Sequence, residues 1–139
     1  MDSMPLIVRS ALEHQLPPRT DYGIAFIGCG GIVNYGHIPS YKAHGFNLIG
    51  GYDINQDAAR KTVQEHGLKK VYETLDEVLD DPLIQIVDIA TMAWDRHGIV
   101  AKASAAGKHM LCQKPFSDKY FEAVEMTDAA QRAGRARVR

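Results

Sequence analysis

Residues 22–33 read Tyr-Gly-Ile-Ala-Phe-Ile-Gly-Cys-Gly-Gly-Ile-Val (YGIAFIGCGGIV). Tyr22–Gly28 is a short apolar run closed by glycine, the pattern of a strand buried on both faces of a parallel sheet. A helix is expected next, over about 31–44, bent near Pro39. Strand, glycine turn and helix together open a βαβ unit. The turn itself, Gly28-Cys29-Gly30-Gly31-Ile32-Val33, reads G-x-G-x-x-V, one residue away from G-x-G-x-x-G/A. In that pattern the first glycine permits the tight turn and the second lets the backbone approach a pyrophosphate. The third lets the helix pack closely on the strand. Val33 stands in the third place, so looser helix packing is expected there. Gly31 adds a second side-chain-free position, and the free amides at the helix start, Ile32 and Val33 included, would hold an anion.

Working outward, Phe46–Asp53 is a second strand, and Asn55 is an N-cap for a helix running to about His66 and stopped by Gly67. Lys70–Tyr72 is a short third strand. Thr74-Leu75-Asp76-Glu77 has the form of a capping box and opens a helix that ends before Pro82. Ile84–Thr91 is a fourth strand, Trp94–Ala106 a helix stopped by Gly107, and His109–Gln113 a fifth strand. Ser117 is expected to cap a last helix ending near Arg132, with Tyr120, Phe121 and Val124 on its buried face. Strands alternating with helices imply an α/β, doubly wound parallel sheet of Rossmann type, with right-handed crossovers and strand order 3-2-1-4-5.

Asp53 lies 20 residues after Val33, at the end of the second strand. An acid there accepts hydrogen bonds from the adenosine ribose hydroxyls, and its charge repels a 2′-phosphate, which favours NAD over NADP. The structural alternative is a strand-end Asp that caps the next helix, a task Asn55 already fills. S-adenosylmethionine is a second candidate ligand. Its enzymes usually carry an acid shortly before the first glycine, where this chain has Ala25-Phe26-Ile27.

The chain has 139 residues and a formal net charge of −1. That length supports one domain: an arm over residues 1–21, stiffened by Pro17-Pro18, and a dinucleotide-binding domain over 22–139. Near-neutral charge argues against nucleic acid as a partner. No apolar stretch is long enough to span a membrane, and the N-terminus lacks the pattern of a signal peptide. Cys29 and Cys112 lie far apart and read as reduced, which points to a cytoplasmic protein. The histidines show no spacing typical of zinc enzymes. Met92, Met110 and Met126 read as core or strand-edge packing.

Gly28–Val33, Asp53, Thr91–His97 (TMAWDRH) and Gly107–Pro115 (GKHMLCQKP) together resemble the N-terminal domain of the Gfo/Idh/MocA oxidoreductases, over about residues 22–134. The most specific part is the Gly-Lys-His-x-x-x-x-Lys-Pro segment. The resemblance implies an NAD(P)-dependent oxidoreductase acting on a polyol, sugar or cyclic alcohol. It implies that the fourth strand ends in a Thr-Pro-Asn-like turn along the cofactor, with a His a few residues on. Thr91 and His97 match, while Met92 and Ala93 replace the Pro and the Asn. The family's Glu-Lys-Pro appears as Gln113-Lys114-Pro115. Lys114 matches the lysine that assists proton transfer beside the nicotinamide ribose, and Gln113 keeps hydrogen bonding without the carboxylate charge. Elementary chemistry agrees: oxidising a secondary alcohol needs a hydride acceptor and a base, and a partly desolvated lysine beside a cationic ring gives up its proton more readily.

Family members continue into a second, substrate domain, and Arg135–Arg139 is where a sixth strand would begin. The expectation is therefore a cofactor domain without its substrate domain, exposing apolar surface that favours a homo-oligomer or a partner chain. The alternative is a non-catalytic nucleotide-binding or interaction module that keeps the fold.

Overall fold

The sheet is parallel throughout, with strand order 3-2-1-4-5 as expected. This computed structural model describes residues 15–134. Most of the arm expected over residues 1–21 falls outside that range, and Arg135–Arg139 wholly so.

The strands are β1 (Gly23–Ile27), β2 (Asn47–Tyr52), β3 (Lys70–Val71), β4 (Ile86–Ile89) and β5 (His109–Cys112). All five residues of β1 are buried, as a central strand between β2 and β4 requires. Helix α1 follows β1 in two parts, a π-helical turn over Val33–His37 and an α-helix over Ile38–Ala43. The remaining helices are α2 (Gln56–His66), α3 (Leu75–Asp80), α4 (Arg96–Ala105) and α5 (Tyr120–Arg132). A 3-10 turn over Ala93–Asp95 leads into α4.

Several boundaries rest on local chemistry. The Asn55 side chain accepts from the amides of Asp57 and Ala58 and so caps α2. Gly67 and Gly107 end α2 and α4 with φ of 63° and 71°. The Thr74 hydroxyl accepts from Glu77 N at 3.1 Å, half of the expected box. The reciprocal half is displaced by one residue, because the Glu77 carboxylate accepts from Glu73 N rather than from Thr74 N.

The two faces of the sheet have separate cores. Ala25, Ile27, Val87 and Ile89 face α3, α4 and α5, among Val78, Val100, Met110 and Met126. Ile24, Phe26 and Leu48 face α1, with Val33 and Ile38. Alternation along each strand assigns the residues to the two sides. Val33 is fully buried, so the helix packs tightly at this position, contrary to the looser packing expected.

The sequence reading of α5 needs correction. Tyr120, Phe121 and Val124 are exposed at 86%, 62% and 41%, and Met126 and Ala130 make the buried stripe. Ser117 is not the N-cap either. The cap is Lys119, and the Ser117 hydroxyl accepts from Lys119 N one turn ahead of the helix. Met110 and Met126 are core, whereas Met92 is 61% exposed.

Candidate functional site

The carboxyl ends of β1, β2, β4 and β5 open into two adjoining depressions of about 490 and 330 Å³. Ala90, Thr91 and Met92, just after β4, line both and form the ridge between them. The carboxyl edge of a doubly wound sheet is where such folds take their ligands.

The larger depression is built on the glycine turn. Gly28 has φ +96°, and a Cβ there would lie 2.9 Å from the Ala90 carbonyl carbon and oxygen. The turn therefore needs glycine both for its conformation and for its approach to the end of β4. At Gly30 a Cβ would meet nothing within 4 Å, so the backbone faces open space. Asn34 braces the turn from inside α1. Its Nδ2 donates to the carbonyls of Cys29 (3.0 Å) and Gly30 (2.9 Å), and its Oδ1 pairs with His66 Nε2 at 3.1 Å.

Asp53 is half-buried and lines this depression. One carboxylate oxygen accepts from Cys29 N and the other from Asn55 N, both at 2.8 Å. Each oxygen keeps a further lone pair for a ligand hydroxyl. Burial, then the Asp53 charge, pushes the Cys29 thiol up to about 12. It is held as a thiol at neutral pH and is not a nucleophile.

The smaller depression is lined by Ile32, Thr91, Met92, Trp94, Gln113 and Lys114, among others. Lys114 is exposed, and its peptide bond to Pro115 is cis. Its backbone N–H donates to Gln113 Oε1 at 2.7 Å. Thr91 is half-buried and Met92 projects into both depressions.

Arg96, at the start of α4, holds this end together and was not anticipated from the sequence. It is 2% exposed. Its guanidinium donates to the carbonyls of Thr91, Gln113 and Pro115, so one side chain ties the turn after β4 to the turn after β5. Among the described residues no carboxylate pairs with it, and its buried Nε has no hydrogen-bond partner. Burial lowers its pKa, with Cys112 acting the other way. The signal was present in Thr91–His97 as an Arg next to the His. Which of the two turned inward was not legible.

The structure brings Gly28, Gly30, Asp53, Thr91 and Met92 to one depression, and Ile32, Thr91, Met92, Gln113 and Lys114 to the other. Gly31 and Ile32 are exposed at the opening of α1. Val33 is buried beneath them, so only its backbone is available to a ligand. His97 is not among the residues that line either depression. It points toward α5, where its Nε2 lies 2.8 Å from the Glu125 carboxylate.

Lys108 of the Gly107–Pro115 segment also has structural work. Lys108 is buried and its Nζ donates to the carbonyls of Asp81 (2.9 Å) and Ile84 (2.7 Å), closing the amino end of the sheet.

The family signature for Gfo/Idh/MocA, described as an oxidoreductase family with an NAD-binding Rossmann fold, matches residues 22–138. The chain belongs to the Gfo/Idh/MocA oxidoreductases. It is 31% identical over 111 residues to a D-apiose dehydrogenase of Paraburkholderia graminis, covering 79% of this chain and 29% of that protein. It is 34% identical over 109 residues to a glucose-6-phosphate 3-dehydrogenase of Bacillus subtilis, covering 78% of this chain and 30% of that protein. The solved structure of GenD2 from gentamicin A biosynthesis, in complex with NAD, aligns with a TM-score of 0.79 at 27% identity. That alignment covers 89% of this chain and 37% of GenD2. The chain thus corresponds to the NAD-binding Rossmann domain of the Gfo/Idh/MocA proteins and spans about a third of the length of these relatives. No helix among the described residues is long and apolar enough to cross a membrane.

Proposed function

We propose that this chain forms the cofactor-binding part of an NAD-dependent oxidoreductase that oxidises a CH–OH group of a sugar, polyol or cyclic alcohol. The observation that carries the reading is one cleft with two chemically different ends. A glycine turn braced by Asp53 is at one end and Lys114 at the other, with Ala90–Met92 common to both.

The residues fit the dinucleotide. The open backbone at Gly30 and the amino end of α1 directly after it suit a pyrophosphate. The half-exposed Asp53 carboxylate suits a ribose diol and disfavours a 2′-phosphate. NAD, when bound, supplies the hydride acceptor. Thr91 and Met92 lie along the middle of the cleft and would flank the nicotinamide half. Lys114 takes the proton of the reacting hydroxyl, and Gln113 with Arg96 holds the lysine's turn in place. His97 is assigned no more than support from the α4–α5 surface.

The dehydrogenase names of the relatives support a carbohydrate-like substrate. The exposed Trp94, Met92, Tyr120 and Phe121 support association with a second copy or another chain. Two separate buried thiols support a cytoplasmic setting, and the alternation of strands and helices that begins at Gly23 supports a domain over 22–139 with an arm before it. The departures at Met92, Ala93 and Gln113 favour a second reading, a nucleotide-binding module without turnover.

Calorimetric titration with NAD and NADP tests the proposal. NAD should bind more tightly than NADP, and Asp53→Asn should weaken NAD by about tenfold and narrow the gap between the two. Absence of binding to either cofactor sinks the dinucleotide assignment. Binding without turnover of any sugar or polyol, when the chain is assayed in its complete protein, favours the non-catalytic module.

A further inference from the structure

Below Lys114 runs a line of polar side chains of which the proposed chemistry uses only Gln113. Asp88 on β4 is fully buried. It faces α1, where two groups meet its carboxylate. Tyr41 donates its hydroxyl at 3.0 Å, and His37 Nδ1 lies 3.1 Å from Oδ1 and 3.0 Å from Oδ2. The other ring nitrogen of His37, Nε2, lies 3.0 Å from Gln113 Nε2. The remaining amide atom, Gln113 Oε1, accepts from Lys114 N at 2.7 Å. The line therefore joins β4, α1 and the end of β5 to the backbone of the lysine.

Hydrogen-bond chemistry leaves little choice in how these groups are protonated. A backbone N–H only donates, so the Gln113 atom facing Lys114 N is the carbonyl oxygen. The atom facing His37 is then the amide nitrogen, also a donor. His37 Nε2 must accept, and the ring proton lies on Nδ1, where Asp88 receives it. Burial raises the Asp88 carboxyl above its ordinary value, and His37 and Tyr41 act against that rise. The two donors that face it, the Tyr41 hydroxyl and His37 Nδ1, offset the cost of its burial.

We propose that His37 is a positioning residue for Lys114. With its proton held on Nδ1 by Asp88, it locks the Gln113 amide in the one orientation that accepts the Lys114 backbone N–H. The π-helical turn Val33–His37 ends at His37. A π turn re-aims the side chains after it relative to a continuous α-helix, and such turns occur frequently at functional sites. The same helix begins at the glycine turn, so α1 connects the anion end of the cleft to the lysine end. The inference rests on the reading of Lys114 as the proton carrier.

The test is nuclear magnetic resonance on the full chain with 15N-labelled histidine, followed by amide exchange at Lys114. At neutral pH, His37 should carry a proton on Nδ1 and none on Nε2. In Gln113→Glu an acceptor replaces the donor facing the ring, so Nε2 should gain a proton and its resonance should move accordingly. Both measurements keep His37 in place and decide the matter even where the second variant does not fold. That variant, His37→Phe, should speed exchange of the Lys114 amide by about tenfold, the loss of one hydrogen bond. A native His37 protonated on Nε2, an unchanged ring in Gln113→Glu, or unchanged Lys114 exchange in folded His37→Phe overturns the proposal. None of these readouts needs cofactor or turnover. Failure of the reading of Lys114 as proton carrier would instead appear as turnover retained by Lys114→Met in the complete protein, with the His37 tautomer intact.

Discussion

The two ends of the cleft are built in different ways. At the glycine-turn end, most of the parts come from short stretches of chain and backbone geometry, with Asp53 to Cys29 N the longer link. Gly28 supplies a positive φ, Asn34 bonds carbonyls four and five residues back, and Asp53 bonds an amide two residues ahead as well as Cys29 N. At the lysine end, the parts are held by side chains from distant segments. Arg96 reaches three carbonyls in two turns, and Gln113 reaches His37, 76 positions away in the chain. The first end is close to a motif, whereas the second is a product of packing. The lysine end should therefore depend more on single buried side chains than the glycine end does.

Arg96→Ala would stress that contrast most. Three carbonyls lose their shared donor, and stability should fall by about 3 kcal/mol, read from the urea midpoint at constant slope. A loss under about 0.5 kcal/mol would mean that the turns after β4 and β5 hold themselves. Next in size is Gly28→Ala. The positive φ and the 2.9 Å approach to the Ala90 carbonyl should cost about 2 kcal/mol and remove measurable NAD binding by calorimetry. Retained affinity would show that the turn tolerates a Cβ and would weaken the contrast from the other side.

The smallest effect is the most discriminating. Burial pushes Cys29 up to about 12 and Cys112 up to about 11, so both thiols stay protonated and react slowly at pH 8 in the folded chain. Raised folded values mean that this protection persists from acid through neutral pH and is lost only as pH climbs toward them. Cys29 reports on the glycine end and Cys112 on the lysine end. In Arg96→Ala, mass-spectrometric labelling should accelerate at Cys112 more than at Cys29. Equal acceleration would mean that the two ends open together as one unit.

What could be read from the chain follows the same division. The Asn55 cap and the glycine stops rest on contacts within a few residues, and the strand order follows from the alternation of strands and helices; all appear where expected. The inward position of Thr91–His97 does not. Arg96 and His97 are neighbours, and on a helix one position rotates a side chain by about 100°, enough to separate the cleft from the surface. Periodicity also misassigned α5. It detects that a helix has apolar stripes, but Tyr120, Phe121 and Val124 lie off the face that Met126 and Ala130 bury, and which stripe meets the core is decided by packing. Val33 was read as a loosening substitution in the glycine pattern. It fills its space completely, in a helix whose first turn is π rather than α.

By itself, the sequence determined a Rossmann sheet, the glycine turn, the acid after β2 and the lysine after β5. Each depends on residue type at a fixed spacing, and short-range sterics and strand–helix alternation suffice to read it. Only the tertiary structure decided that Arg96 rather than His97 turns inward. It also decided that Asp88, His37 and Gln113 form one line beneath Lys114. Those contacts join segments far apart in the chain, and burial makes each of them costly to leave unpaired.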